Sequence, residues 1–408
     1  MASAPAVVVA VQGAPGTSAA PLNAILAAAP GLPFQTELLR TLVSLSLNVP
    51  NAVVCLLLKP AEAEELKRVV VAPGSPAAPG ALPMWVRVYS FDVLDARAPS
   101  SVRERFPSIR RYSYYDAVLD DLADGGAANA GANPPLVLFS TLDAAHHRTP
   151  DAVMLSDARD VVFQRDPFPV MWSRYFNVGD AQGRGWTAAA AARLPPSLVA
   201  AQEARTMTLE QEDWNRSWVH YCYYYLGEAM VGKQWILCSG TTMGNEKGIR
   251  AYLAAMQDGA TRCMDIGWEK GMDQGIHNVL LRGHTPSEWA TLRKRIPEPR
   301  LNASGALLDA VAELQSRLNV HIAEAEGDLL CTMALMSSPV TYLRDIDGYV
   351  VARPDKSLPH GDTSPRCAVV HQFDRSQELA AFYSNTYQLS SLVPQSSPPA
   401  PEGTRIYP

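Results

Sequence analysis

Residues 151–168 read Asp151-Ala-Val-Met-Leu-Ser-Asp-Ala-Arg-Asp-Val-Val-Phe-Gln-Arg-Asp-Pro-Phe168, and the order of apolar and acidic positions in this run decides the fold class. Ala152 to Leu155 form a short apolar run of the kind a buried parallel strand requires. The run stops at Asp157, Asp160 follows three residues later, and a second apolar pair lies behind it. Open α/β sheets bind ligands at the carboxyl ends of their strands. Two carboxylates held there can grip a hard divalent cation, which in turn neutralises a diphosphate. Asp166-Pro-Phe168 then turns the chain away. One Asp after a strand is more often a solvated turn than a ligand, so the weight rests on the whole run.

Three further segments follow in order: Cys238-Ser-Gly-Thr-Thr-Met-Gly244, Gly271-Met-Asp-Gln-Gly-Ile-His-Asn278 and Val369-Val-His-Gln-Phe-Asp-Arg375. Together with SDARDVVFQRDPF they resemble the motifs of a family of sugar-nucleotide-dependent glycosyltransferases with the GT-A fold. The resemblance covers residues 35 to 385 and is weak before 100. It implies an α/β protein, a Rossmann-like three-layer α/β/α domain with a mostly parallel central sheet. It also implies transfer of a hexose or pentose from a nucleoside diphosphate sugar to a carbohydrate or glycoconjugate acceptor, with Mn²⁺ or Mg²⁺ as cofactor.

The same resemblance assigns roles. GT-A enzymes usually hold the metal with Asp-x-Asp; here Arg159 breaks that pattern and the second acid comes one residue later. Asp157 is the expected ligand, while Asp160 ligates, binds ribose or pairs with Arg159. His371, at the end of the apolar run Cys367 to Val370, is the expected third ligand, and imidazole favours Mn²⁺ over Mg²⁺. The bland alternative is a hydrogen-bonded histidine at a strand end. Ser239 and Gly240 are expected to let the backbone approach the donor sugar, although Cys238 stands where related families carry Asn. Asp273 and Gln274 are expected to face the reaction centre. Asp273 would be the general base of an inverting reaction, or an orienting group in a retaining one. It could equally cap a helix. Asp374 and Arg375 form an ion pair or hold the nucleotide, and His277 and Asn278 read as structural.

Composition bounds these readings. The chain has 408 residues, 47% hydrophobic and 19% charged, values that permit a substantial core. A net charge of −6 and the lack of a long basic block argue against nucleic acid or an anionic membrane as partner. Six cysteines occur with no C-x-x-C pair, so a zinc site is not expected, and the even number does not establish disulfides. No apolar stretch is long enough to span a bilayer. The sequons Asn215-Arg-Ser217 and Asn302-Ala-Ser304 are weak evidence, and cytoplasm and secretory lumen both remain open.

Along the chain, residues 1–34 form an Ala/Pro/Gly-rich segment in which Ala6 to Val11 could be a first strand. Residues 35–388 make one catalytic domain, with 123–135 an exposed low-complexity insertion and 389–408 a disordered tail. Strands are expected at 52–58, 84–91 and 234–238, with a turn at Ser239-Gly240 and a helix from about Asn245. Helices are expected at 110–122 and 286–316. Aromatic residues crowd 185–235, among them Trp214, Trp218, Tyr221 and Tyr223. Core packing explains most of them, and one could line an acceptor cleft.

Two rival functions remain. A haloacid-dehalogenase-like phosphatase also places a nucleophilic Asp after a strand, but it needs a second acid where Arg159 stands. A catalytically inactive sugar-nucleotide-binding protein would fit the departures at Arg159 and Cys238.

Overall fold

The apolar segments of the first half of the chain become strands of one large sheet. The computed structural model describes residues 22–28, 37–75, 81–103, 107–125, 135–179, 187–203, 207–264, 272–282, 290–291, 294, 309, 311–325, 327–335, 338–339, 342–352, 366–388 and 404–406. Strand β1 (Asn23–Ala28) leads through helix α1 (Leu39–Asn48) to β2 (Val53–Leu58) and then β3 (Trp85–Ser90). Helix α2 (Pro107–Ala123) precedes β4 (Val137–Ser140), β5 (Ala152–Ser156) and the short β6 (Val161–Phe163). Next come β7 (Ser197–Gln202), α3 (Asp213–Val231), β8 (Leu237–Asn245), α4 (Glu246–Met264) and α5 (Met272–Arg282). The described chain continues with β9 (Asn319–Ala323), β10 (Leu330–Thr332), β11 (Val369–His371) and α6 (Gln377–Thr386).

Eight strands form the main sheet in the order β9-β7-β8-β5-β1-β2-β3-β4. Only β4 and β8 run against the other strands, so the sheet is mostly parallel and the fold is mixed α/β. A parallel sheet needs cover on both faces, and β2, β5 and β7 are buried at every residue. Each fully buried Leu or Val in them contributes roughly 1.5–3 kcal/mol against leaving it in water. A second sheet, β10-β11-β6, stands beside the first and sets His371 opposite Val161.

Several sequence expectations need correction. The stretch Ala6 to Val11 lies outside the described residues, and the first strand seen is Asn23–Ala28, inside the segment expected to precede the domain. It lies between β2 and β5, so the sheet takes in residues before position 35. The sequence Asn-Ala-Ile-Leu-Ala-Ala has modest strand propensity; the covered central position overrides it. The expected strand at 234–238 with a turn at Ser239-Gly240 is instead one strand running to Asn245, with a shift in register between Cys238 and Thr242. The expected helix at 110–122 is present as α2, and the strand at 84–91 as β3, although β3 is buried on both faces beyond Trp85. Of 286–316, most lies outside the described residues, and 311–317 are helical. Of the insertion, only 123–125 and 135 are described. In the expected disordered tail, Thr404–Ile406 pair antiparallel with Leu343–Asp345.

Candidate metal centre and its surroundings

Three strand termini bring the acidic motif and the late histidine together. Asp157 follows β5, and its backbone N–H donates to the Gly240 carbonyl of β8 at 2.7 Å. Asp160 precedes β6, and its carbonyl accepts from the Gln372 N–H at 2.7 Å, next to the end of β11. Gln372 has φ 59°, a left-handed conformation uncommon outside glycine, which turns the chain directly behind His371. One ligand atom from each of Asp157, Asp160 and His371 lies within 4.8 Å of the others. His371 Nε2 is 3.6 Å from Asp157 Oδ2 and 3.4 Å from Asp160 Oδ1. That buried nitrogen has no well-formed hydrogen bond among the described residues.

Gly240 forms the floor of this cluster. A Cβ there would lie 2.6 Å from Asp157 Oδ2 and 2.9 Å from His371 Nε2, and would press against His371 Cε1. The missing side chain leaves the space between the three ligand groups clear. Two carboxylates, an imidazole with an orphaned nitrogen and a cradle that a Cβ would fill together suit a divalent cation such as Mn²⁺.

Charges of both signs meet in the cluster. Burial works against a charged Asp160, yet His371, Arg159 and Arg375 outweigh it and pull the carboxyl down to about 2. Burial likewise opposes a charged His371, but the Cys238 sulfur and the Asp160 and Asp157 carboxylates hold it well above the ordinary imidazole range. Cys238 Sγ sits 3.2 Å from His371 Nδ1, the ring nitrogen other than the one that faces the two carboxylates.

Arg111, on α2, joins the acidic motif to the start of α5. Its guanidinium donates to Asp157 Oδ1 at 2.6 Å and to Asp273 Oδ2 at 3.2 Å. Burial raises the Asp273 carboxyl above its usual range, and Arg111 opposes that rise. Asp273 sits in the first turn of α5, as expected.

Gln274 takes a different place from the one its motif implies. Its Oε1 accepts from the Ser239 N–H and hydroxyl, both at 3.1 Å. Its Nε2 donates to Glu203 Oε1 at 2.9 Å and to Asn215 Oδ1 at 3.1 Å. Every hydrogen-bonding position of the amide is thus used inside the protein. Gln274 braces Ser239-Gly240 rather than reaching toward a ligand. Asn278 does the same one turn on, spanning the N–H and carbonyl of Leu237.

Arg159, Asp374 and Arg375 form the rim. Arg159 Nη2 lies 3.7 Å from Asp160 and 3.4 Å from Asp374, and Arg375 Nε lies 3.6 Å from Asp374. The candidate metal, donor and catalytic residues Asp157, Arg159, Asp160, Ser239, Gly240, Asp273, Gln274, His371 and Arg375 therefore lie in one region, as the cluster, its brace and its rim.

Several partners were not legible in the sequence. Arg111, Glu203 and Asn215 lie in none of the four motifs. Thr41 and Arg40 of α1 fix the turn between Asp157 and Val161: Thr41 Oγ1 donates to Ala158 O and Val161 O, and Arg40 donates to Arg159 O. The one signal for Arg111 was a charged residue beside Tyr112 and Tyr115 on the helix's apolar face. Asn215 also ends as a poor glycosylation site, because its side chain is buried and bonded to Glu212 and Gln274. Asn302 lies outside the described residues.

Comparison with known proteins yields no match to any family model, curated protein or solved structure. No described helix is long and apolar enough to cross a membrane.

Proposed function

We propose that the protein is a metal-dependent GT-A glycosyltransferase that takes a sugar from a nucleoside diphosphate donor. The observation that carries this reading is the convergence of Asp157, Asp160 and His371 around the bare Cα of Gly240. Asp157, Asp160 and His371 would hold Mn²⁺, which would supply Lewis-acid stabilisation to the departing diphosphate. Arg159 and Arg375, at the rim, add positive charge where phosphate oxygens would lie. Ser239 and Gly240, held by Gln274, keep the backbone close to the donor sugar. Asp273 shares the Arg111 guanidinium with Asp157 and would be the acid–base or charge-orienting group.

The phosphatase alternative gains nothing from the geometry. Asp157, its nucleophile, has one oxygen bound by Arg111, and no acid replaces Arg159 two residues on. Two disulfides, Cys222–Cys263 and Cys331–Cys367, favour work in an oxidising compartment, where glycoconjugate acceptors are met.

The test is calorimetric titration with UDP and GDP, with and without Mn²⁺. Metal-dependent binding of one nucleotide is expected, and it is expected to vanish in Asp157→Ala while circular dichroism shows that the variant, though less stable for the loss of an Arg111 partner, is still folded at the temperature of the titration. No binding of either nucleotide with metal present, or full binding by the variant, would overturn the reading.

A further inference from the structure

One buried side chain touches the candidate metal centre without belonging to its ligand set. Cys238 is 2% exposed, takes part in no disulfide, and holds its sulfur 3.2 Å from His371 Nδ1. The other ring nitrogen, Nε2, is buried with no well-formed hydrogen bond among the described residues. It faces Asp157 and Asp160 at 3.6 and 3.4 Å. The imidazole thus has one nitrogen engaged and one kept open toward the cluster.

A single strand frames both edges of that ring. Cys238 and Gly240 lie two positions apart on β8, the spacing that puts side chains on one face of a strand. Cys238 meets Nδ1, and the bare Cα of Gly240 leaves room beside Nε2, where a Cβ would lie only 2.9 Å away. Pairing on both sides anchors this stretch. Leu237 and Cys238 are registered with Gln202 and Ala201 of β7, and Thr241 with Ser156 of β5. The main sheet therefore sets the sulfur, while β11 of the second sheet carries the ring. Their contact is the point at which the two sheets agree on where the imidazole lies.

We propose that Cys238 is the positioning residue of the metal centre: its sulfur accepts the Nδ1–H of His371 and keeps the Nε2 lone pair turned toward the cation. This rests on the metal-dependent reading above. An imidazole that ligates through Nε2 carries its hydrogen on Nδ1, and in a buried place that hydrogen needs an acceptor. Ligating histidines commonly meet the need with a carboxylate, a carbonyl or a water. Here the group at that nitrogen is a cysteine sulfur. The opposite polarity, a thiol donating to Nδ1, would leave the hydrogen on Nε2. An N–H placed there would be drawn to a carboxylate oxygen at about 2.7–2.9 Å. Asp160 and Asp157 instead stand 3.4 and 3.6 Å away.

The experiment titrates Mn²⁺ into the full chain and into Cys238→Ser, Cys238→Val and Cys238→Ala, with free Mn²⁺ read by electron paramagnetic resonance. Asp157→Ala sets the background from other carboxylates, and circular dichroism checks that each variant is folded at the temperature used. Serine keeps an acceptor for the Nδ1–H; valine fills the space and offers none. Alanine offers none either and adds no bulk, so it carries the comparison if valine disturbs folding. Affinity is expected to fall about ten- to a hundredfold in Cys238→Val and Cys238→Ala, and to return most of the way in Cys238→Ser. A role in packing alone would reverse that ranking, since valine suits a buried site better than serine. A valine or alanine variant that binds as tightly as the parent, or a serine variant as weak as they are, would overturn the role of Cys238 and leave the metal reading in place. A parent that takes up no more Mn²⁺ than Asp157→Ala would overturn the metal reading, and this inference with it.

Discussion

At the scale of single residues, Gly240 is the position on which the proposed centre is most exposed to test. The sequence marked it only as the small residue of a turn; the structure puts it inside a strand, where any side chain would enter the space between Asp157 and His371. Gly240→Ala is expected to weaken Mn²⁺-dependent nucleotide binding by about ten- to a hundredfold, from about 1–3 kcal/mol of overpacking. Circular dichroism should remain that of the parent. Unchanged metal-dependent binding, measured by calorimetry, would mean that the cation sits elsewhere. Asp157, Asp160 and His371 were legible as acids and an imidazole ending apolar runs. Arg111 was not, because a buried arginine is readable only once its two carboxylate partners, 46 and 162 residues away, are known to meet it.

Among elements, the joint between β7, α3, β8 and α5 depends on one buried carboxyl. Glu203 follows β7, accepts from Gln274, and is pushed up to about 7, chiefly by burial and then by the nearby Glu212 charge. Its ordinary value is 4.5, so between pH 4.5 and about 7 the folded chain keeps a proton that the unfolded chain has lost. The unfolded state binds fewer protons in that window, so this group's contribution to stability falls as pH rises through it. The full loss is about 3 kcal/mol at most. Glu203→Gln removes that loss while keeping a hydrogen-bond acceptor toward Gln274. Urea unfolding at pH 5 and pH 8 should show the variant losing less stability than the parent on going to the higher pH. Equal losses in the two proteins would show that Glu203 is ionised in the fold throughout. The sequence located α5 through its motif, but it misjudged β8, because a Ser-Gly pair reads as a turn unless the strands on either side are known to pair with it.

Across the whole molecule, two disulfides tie down the elements that carry the site. Cys222–Cys263 joins α3 to α4, and Cys331–Cys367 joins β10 to the segment entering β11, which ends at His371. They close spans of 41 and 36 residues, for which chain entropy gives about 4 kcal/mol each. Thiol labelling under denaturing conditions should find two free cysteines, Cys55 and Cys238, before reduction and all six after it. Reduction should lower the urea midpoint and loosen nucleotide binding together; six free thiols at the outset would remove both the staples and the argument for an oxidising compartment. The sequence by itself determined the α/β class and the places where acids and a histidine end strands, because buried strands must be apolar and the first polar residue after them is conspicuous. It also marked Trp214 as one of many aromatic residues, without saying which would face water. Only the tertiary structure decided that β1 begins at Asn23, that four of the cysteines pair, and that Gln274 turns inward. Each of those depends on contacts between segments far apart in the chain, and local composition carries no record of which distant partner a side chain will meet.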